Sequence, residues 1–263
     1  ATLYTVDDTY RYQLLGGLPI RYGNSLYLRL MQLYTGAFST ERGKVIMKKS
    51  TDNGQTWTTM DGEIGTAFDG FVDPYPEYWA GPGTAYGNII YIPVYQQTVF
   101  GVAPPVGEVM VFRFDMDTDT WLATSSAGPV VADTANGLNL AFDTAGSGTI
   151  CYEESYSLPY NQSIQPQRAC FVPYSTSEVW GSVTAMVSLP RFSYNWPVYD
   201  SVNGLHIFYN GATGTDAGDP TRTYYLAEYG EGNIYSYLMT AAEYWLVEEP
   251  PVLFEVSGVE QIG

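Results

Sequence analysis

Four aromatic residues, each closing a short polar turn, recur along this chain of 263 residues. Trp57 ends STDNGQTW, Trp121 ends FDMDTDTW, Trp180 ends YSTSEVW and Tyr235 ends EYGEGNIY, at intervals of about 55 to 65 residues. Two strand-like runs precede each turn, a third follows it, and a further strand-like or turn-rich segment begins each unit. Four strands per unit is the size of a propeller blade, so the repeat predicts an all-β fold with four recognisable four-stranded blades.

The segments between these turns are typical of strands. They are short, aromatic and β-branched, and clusters of Gly, Pro, Asn and Asp separate them, as in SLYLRLMQLY, NIIYIPVY and LHIFYN. No stretch has a sustained period of 3.6 residues with helix caps, so we expect almost no helix. We predict a single β-propeller domain over residues 1–263.

The two ends of the chain bear on how the ring closes. ATLYTVDDTYRYQ in front and EYWLVEEPPVLFEVSGVEQIG behind both contain strand-like runs. We predict that they combine into a fifth blade, which hides strand edges that would otherwise invite aggregation. The alternative is that the tail pairs with another subunit.

The turn STDNGQTW resembles the Asp-box, or BNR repeat, of sialidase-like β-propellers. The match lies at Ser50, Asp52, Gly54, Thr56 and Trp57, and the other three copies are degenerate. Asp52 can accept hydrogen bonds from amides of its own turn, Gly54 permits a positive φ, and Trp57 can fold back onto the sheets. The resemblance implies a structural turn between the third and outermost strands, on the face opposite the usual ligand site.

Function is therefore expected on the other face, where the loops are long. The four long loops are YTGAFSTERG, QQTVFGVAPPVG, SYSLPYNQSIQPQ and NGATGTDAGDPT, each longer than a hairpin needs. The segments DGFVDPYPEYWAG and PRFSYNWPVYD lie on the same face and place aromatic side chains beside carboxylates and amides, which suits sugars. The predicted ligand-binding residues are Tyr75, Tyr78, Trp79, Tyr194, Asn195 and Trp196. For each aromatic residue, packing between blades is the alternative.

Charge and hydropathy exclude two classes of partner. The chain has 28 Asp and Glu against 11 Lys and Arg, a formal charge of -17, whereas phosphate binding needs clustered basic side chains. No apolar run approaches the about 20 residues of a membrane span. We expect no nucleic acid and no membrane insertion, and we predict a glycan, a cell-surface polysaccharide or neighbouring subunits as partners. The acidic surface favours an extracellular or virion-surface location.

A glycosidase site would need two carboxyl groups flanking the scissile bond. A sialidase-like site would use Arg21 in LPIRYGN, although the order PIR differs from the RIP motif and no position matches the Tyr–Glu pair of sialidases. A three-carboxylate site would use Asp8, Asp73 and either Glu153 or Glu154. In a chain this acidic such triplets also arise by chance.

Cysteine and metal chemistry are sparse. Cys151 and Cys170 flank one candidate hairpin at equal distances from its tip, which fits either two buried thiols or one disulfide. Asp115, Asp117 and Asp119 alternate as in a calcium loop but lack its Gly and its final Glu, so a degenerate turn is the better interpretation and calcium the alternative. We predict no cofactor and no metal site.

These observations predict a non-catalytic recognition or display propeller that binds glycans through its long-loop face. Two alternatives stay open. One is a glycoside hydrolase, either sialidase-like or of the three-carboxylate type. The other is a structural component of a virion, such as a decoration or tail protein, or of a surface assembly.

Overall fold

The computed structural model consists of antiparallel sheets. It describes residues 10–14, 19–34, 42–60, 78–99, 106–123, 128–131, 134–155, 166–190, 192–200, 202, 204–212, 224–230, 233–239, 253–256 and 259–262. Over these ranges there is no helix, and so none long and apolar enough to cross a membrane. The all-β prediction is confirmed.

Sheet one fills four strand positions with five strands. They are β1 (Tyr10–Leu14), β2 (Ile20–Tyr22), β3 (Ser25–Tyr34), β4 (Arg42–Ser50) and β5 (Thr58–Thr59). β1 and β2 both pair with β3, so they share the first strand position, and the order continues through β4 to β5. β1 belongs to the segment that the sequence assigned to a fifth blade, and the structure places it in sheet one.

Sheet two has the same plan with two divided positions. Its strands are β6 (Tyr78–Ala80), β7 (Thr84–Tyr86), β8 (Ile89–Val99), β9 (Val106–Asp115), β10 (Thr120–Leu122) and β11 (Val130–Val131). β6 and β7 share the first position beside β8, and β10 and β11 share the last position beside β9. Six strands therefore fill four positions.

Sheets three and four each contain four consecutive strands. Sheet three consists of β12 (Thr134–Phe142), β13 (Ser147–Ser155), β14 (Pro166–Ser175) and β15 (Thr184–Pro190). Sheet four consists of β16 (Phe192–Tyr199), β17 (Leu205–Ala212), β18 (Tyr224–Gly230) and β19 (Asn233–Met239). Each strand pairs with the next along the chain. The prediction of four blades with four strand positions each is confirmed.

The chain divides into two compact units, residues 1–130 and residues 131–263. Sheets one and two lie in the first unit, and sheets three and four lie in the second. β20 (Leu253–Val256) and β21 (Val259–Ile262) form a separate two-stranded sheet. The single domain over residues 1–263 stays a prediction.

The core of the first unit lies between sheets one and two. Its buried members are Tyr27, Val45, Met47, Ile90, Ile92, Val94, Phe112, Phe114 and Met116. The runs LYLRL and IIYIPVY carry large side chains on both faces of β3 and β8, as expected for strands covered on both sides. Each such side chain stabilises the fold by about 1.5–3 kcal/mol relative to an exposed one.

The turn after β4 is closed by hydrogen bonds within STDNGQTW. Asp52 Oδ1 accepts from the Thr56 amide at 2.8 Å and Asp52 Oδ2 accepts from Thr56 Oγ1 at 2.6 Å. These bonds hold the pKa of Asp52 at about 2, below its usual range. Gly54 has φ +84, and the Trp57 indole donates to the Gly54 carbonyl at 3.1 Å. The Trp57 ring packs on the cluster formed by Leu28, Leu30 and Ile46.

The turn between β9 and β10 is bound to sheet one by side chains. We call Tyr22, Tyr27, Lys49, Asp117 and Asp119 the tyrosine–aspartate network. Tyr22 donates to Asp117 at 2.7 Å, Tyr27 donates to Asp119 at 2.8 Å, and Lys49 Nζ lies 2.5 Å from Asp119 Oδ2. The ammonium group of Lys49 also lies 5.4 Å from the centroid of the Tyr27 ring. The network therefore joins sheets one and two at this turn.

Candidate functional site

Two neighbouring carboxyl groups are buried in β13 of sheet three. Glu153 is 3% exposed and Glu154 is 4% exposed. Successive side chains of a strand point to opposite faces of the sheet, so these two residues serve different faces. They cannot act together on one bond. Which of them is the better candidate for catalysis depends on the residues that pack against each face.

The face that carries Glu153 is turned toward sheet four. Thr149 and Cys151 share this face, since they alternate with Glu153 along β13. The Thr149 hydroxyl lies 2.8 Å from the hydroxyl of Tyr199, which belongs to β16. β16 also contacts β12, β13 and β14. Glu153 therefore lies on the side of sheet three that packs against the fourth blade.

Burial changes the acid–base chemistry of Glu153. Desolvation disfavours the carboxylate and raises the pKa of Glu153 from 4.5 to about 8. Its Oε1 atom has no hydrogen-bond partner within the described part of the chain. At neutral pH this side chain is therefore a protonated carboxyl group with one buried oxygen that no described residue engages. A carboxylic acid in that state can donate a proton to a leaving oxygen.

A β-bulge in β12 lies opposite Tyr152, the residue that precedes Glu153. Asn136 of β12 pairs with Glu153, and Asn139 pairs with Cys151, so Gly137 and Leu138 together face Tyr152. Gly137 has φ +59, which a glycine adopts without strain. The buried Asn139 donates from Nδ2 to the Gly137 carbonyl at 3.2 Å and thereby closes the bulge. The sequence analysis missed this feature, although Asn136-Gly137 inside a strand-like run is a signal for it.

The opposite face of β13 carries Glu154 and one cysteine. Cys170 Sγ lies 3.7 Å from Glu154 Oε2. Cys170 pairs with Tyr152, whereas Cys151 pairs with Phe171. The two cysteines therefore point to opposite faces, and both are buried free thiols. This register corrects the disulfide alternative. Burial, followed by the nearby Cys170, raises the pKa of Cys151 well above its usual value.

The predicted ligand-binding residues fall into different parts of the fold. Tyr194, Asn195 and Trp196 lie in β16, and the register of β16 shifts between Ser193 and Asn195, so β16 is also bulged near its start. Trp196 is 5% exposed, which matches the core packing that the sequence left as an alternative. Tyr78 and Trp79 lie in β6 of sheet two, and Tyr75 lies outside the described residues.

Of the other candidate catalytic residues, one is described and lies in the first unit. Arg21 is an exposed residue of β2 and pairs with Leu26 in the first unit. Asp8 and Asp73 lie outside the described residues. Of the carboxyl groups proposed from the sequence, Glu153 and Glu154 are therefore the two whose surroundings are known.

The acidic turn FDMDTDTW uses its carboxylates within the protein. Asp115 Oδ1 accepts from Asn88 Nδ2 at 2.9 Å, while Asp117 and Asp119 belong to the tyrosine–aspartate network. Within the described ranges no group of three or more His, Cys, Asp and Glu could hold a metal ion. Calcium binding by the chain stays an untested alternative.

Comparison with known proteins supports the fold. No family model matches the chain, and no curated protein matches it. Among solved structures, the α-L-arabinanase of Penicillium chrysogenum complexed with arabinobiose superposes with a TM-score of 0.56 at 12% identity, covering 88% of this chain and 67% of that enzyme. The α-L-arabinofuranosidase of Fusarium graminearum gives 0.54 at 12% identity with the same coverages. A structure described as a glycoside hydrolase gives 0.51 at 13% identity, covering 98% and 84%. The chain has a β-propeller fold.

These structures correct the functional prediction made from the sequence. The neighbours on this fold are glycoside hydrolases, so the interpretation as a non-catalytic recognition or display propeller was wrong and the glycosidase alternative is better supported. The alternative of a virion or assembly component gains no support from these three structures.

Proposed function

We propose that this β-propeller is a glycoside hydrolase in which Glu153 is the general acid. One observation carries the proposal: the Glu153 carboxyl is buried on the side of sheet three facing the fourth blade, with one oxygen lacking a hydrogen-bond partner in the described chain. Because burial raises its pKa to about 8, it holds a proton at neutral pH. This is the state that protonation of a glycosidic oxygen requires.

The second carboxyl group must come from another element. The side chain of Glu154 points to the opposite face of β13, so Glu154 is excluded as the second carboxyl group. Asp73 and Asp8, the other carboxyl groups that the sequence analysis named for such a site, lie outside the described residues.

The proposed substrates are α-L-arabinofuranosides and arabinose oligosaccharides. The support is the fold shared with an arabinanase complexed with arabinobiose and with an arabinofuranosidase. A glycan partner agrees with the acidic, aromatic-rich composition of the chain. We also propose that the protein acts outside the cell, where such polysaccharides occur, and that its first complete turn is an Asp-box, as supported by the Asp52–Thr56 hydrogen bonds.

The test is hydrolysis of a panel of aryl glycosides that includes 4-nitrophenyl α-L-arabinofuranoside, together with arabino-oligosaccharides. We expect turnover that falls above about pH 8 as Glu153 loses its proton. Glu153→Gln should lower kcat by about 10²- to 10⁴-fold, the usual contribution of a general acid. Glu154→Gln is the matched control from the opposite face and should retain most of the activity.

Circular dichroism of both variants separates loss of chemistry from loss of fold. The proposal is overturned if no glycoside in the panel is hydrolysed, or if folded Glu153→Gln remains as active as the unaltered protein.

A further inference from the structure

A polar contact between two described side chains ties the fourth blade to the face of sheet three that carries Glu153. We propose that the hydrogen bond between Thr149 and Tyr199 holds β16 against this face, which makes Tyr199 a positioning residue for the candidate site. The inference rests on the proposed function of Glu153. It adds the contact that keeps the surroundings of this carboxyl group dry.

The contact joins two hydroxyl groups that are costly to separate. Thr149 is 2% exposed, and its hydroxyl lies 2.8 Å from the hydroxyl of Tyr199. A buried hydroxyl without a hydrogen-bond partner is unfavourable, because it has lost its bonds to water. The hydrogen bond therefore favours the arrangement in which β13 and β16 stay together.

Thr149 and Glu153 lie on one buried face of β13. The pairing of β13 with β14 runs from Ser147 to Ser155 without a register shift, so Thr149, Cys151 and Glu153 point to the same side. Their exposed fractions are 2%, 0% and 3%. At about 3.3 Å per residue, Thr149 and Glu153 are about 13 Å apart along the strand. An unbroken buried surface therefore links the hydrogen bond to the carboxyl group.

The facing strand β16 is buried beside Tyr199 as well. From Asn195 to Tyr199 its register with β17 is uninterrupted, so Pro197 shares the face of Tyr199, and Pro197 is buried. β16 contacts β13 as well as β12 and β14. Close-packed interiors resist local rearrangement. A bond that fixes one end of this contact therefore limits how far the other end can open to water at Glu153.

The ionisable groups beside the bond do not obscure a titration of Glu153. Burial raises the pKa of Tyr199, the hydrogen bond with Thr149 opposes that shift, and the nearby Asp143 and Cys151 add to it. Burial also raises the pKa of Cys151 well above its usual value. Tyr199 and Cys151 are therefore uncharged at neutral pH, and a shifted titration of Glu153 reports a change in its own surroundings.

The first experiment measures the titration of Glu153 without using activity. The protein is labelled with ¹³C at the glutamate carboxyl carbons, and the Glu153 signal is assigned by its loss in Glu153→Gln. Tyr199→Phe keeps the ring and loses the hydrogen bond, so water should reach Glu153 and its pKa should fall from about 8 by about one unit. Thr149→Val should shift the pKa in the same direction. Because both variants break one bond, the double variant should shift it no further than the larger single change.

Tyr27→Phe is the matched control. It also removes a phenolic hydroxyl that joins two sheets, since Tyr27 donates to Asp119 at 2.8 Å within the first unit. It should lower the midpoint of urea denaturation and leave the titration of Glu153 unchanged. A merely structural role for Tyr199 would give the same result. An unchanged pKa of Glu153 in folded Tyr199→Phe, or an equal shift in Tyr27→Phe, therefore overturns the proposal.

The second experiment follows catalysis. The alkaline limb of the pH profile of Tyr199→Phe should move to lower pH by the same amount as the titration of Glu153, because the same proton is lost in both measurements. If the titrations behave as expected and no glycoside in the panel is hydrolysed, the proposed function fails, while the effect of Tyr199 on the surroundings of Glu153 stands.

Discussion

The first strand position of a sheet is filled differently in the two units. In the first unit it is divided, into β1 and β2 in sheet one and β6 and β7 in sheet two, with Pro19 and Pro82 in the gaps. In the second unit β12 and β16 run unbroken, and each contains a register shift. Proline lacks the amide that a ladder needs, which fits the two breaks, although β16 accommodates Pro197 without one. A bulge keeps the ladder and redirects side chains.

One irregularity in each unit lies next to a buried charged or ionisable group. In the first unit, a Cβ built on Gly83, beside the break in sheet two, would lie 3.3 Å from Cδ of the buried Arg29. In the second unit, the bulge in β12 lies opposite Tyr152, next to Glu153. In these two examples, the break in sheet two leaves room for the side chain of Arg29, whereas the bulge in β12 decides which residue pairs with Glu153. The chemistry proposed for this chain lies at a bulge.

The largest expected effect is a pH dependence that comes from the second unit. The folded protein keeps a proton on Glu153 up to about pH 8, whereas the unfolded chain releases it near pH 4.5. The unfolding free energy should therefore fall as pH rises between these values, at about 1.4 kcal/mol per pH unit and several kcal/mol in all. Burial lowers the pKa of Arg29 only to about 10, so that group does not contribute to this window.

Urea denaturation at several pH values between 5 and 8 measures this slope. Glu153→Gln should remove most of it, and Glu154→Gln should keep it. If the unfolding free energy of Glu153→Gln still falls with pH at the same slope, Glu153 is not the source of the pH dependence.

A smaller effect is expected at the break in the first unit. A methyl group at Gly83 would lie 2.9 Å from Ile92 Cγ1 and 3.2 Å from the Tyr91 carbonyl oxygen. Gly83→Ala should therefore cost about 1–3 kcal/mol by overpacking. Gly87→Ala is the control four residues later, since a methyl group there meets nothing within 4 Å and only its φ of +61 is unfavourable. Equal midpoints in urea for Gly83→Ala and the unaltered protein would contradict the close packing at the break.

The smallest effect concerns the backbone of the bulge. Gly137 has φ +59, which Asn tolerates better than Ala, and Ala better than Val. Thermal unfolding should rank the three variants in that order, with Gly137→Ala costing about 1–2 kcal/mol. A Val variant as stable as the Asn variant would mean that the bulge does not depend on a left-handed residue.

The blade repeat was predictable from the sequence because its signals are local. Every hydrogen bond that closes the turn at Asp52 lies within eight consecutive residues, and the strand-like runs on either side show their burial in their composition. Sheet membership of Tyr10–Leu14 was harder, since it depends on pairing with Leu30–Tyr34 and not on the segment's own pattern.

The candidate site was less predictable because it depends on register. Glu153 and Glu154 are equivalent in the sequence, and only their alternation along β13 and the contacts of β16 tell them apart. Cys151 and Cys170 have suitable spacing for a disulfide bond in the sequence. In the sheet, however, Cys170 pairs with the residue after Cys151, so the two side chains point to opposite faces. Asp73 and Tyr75 lie outside the described residues, so their predicted roles remain predictions.

The tyrosine–aspartate network has a consequence for how the molecule can be cut. Tyr22, Tyr27 and Lys49 belong to sheet one, while Asp117 and Asp119 follow the third strand position of sheet two. A fragment ending at Met116 would remove the carboxylate partners of Tyr22, Tyr27 and Lys49 and leave Tyr27 only the Met116 carbonyl, whereas one ending at Val130 keeps all these partners. We therefore expect the first two blades to melt as one cooperative piece, and expression of residues 1–130 to be the smallest sensible test of independent folding.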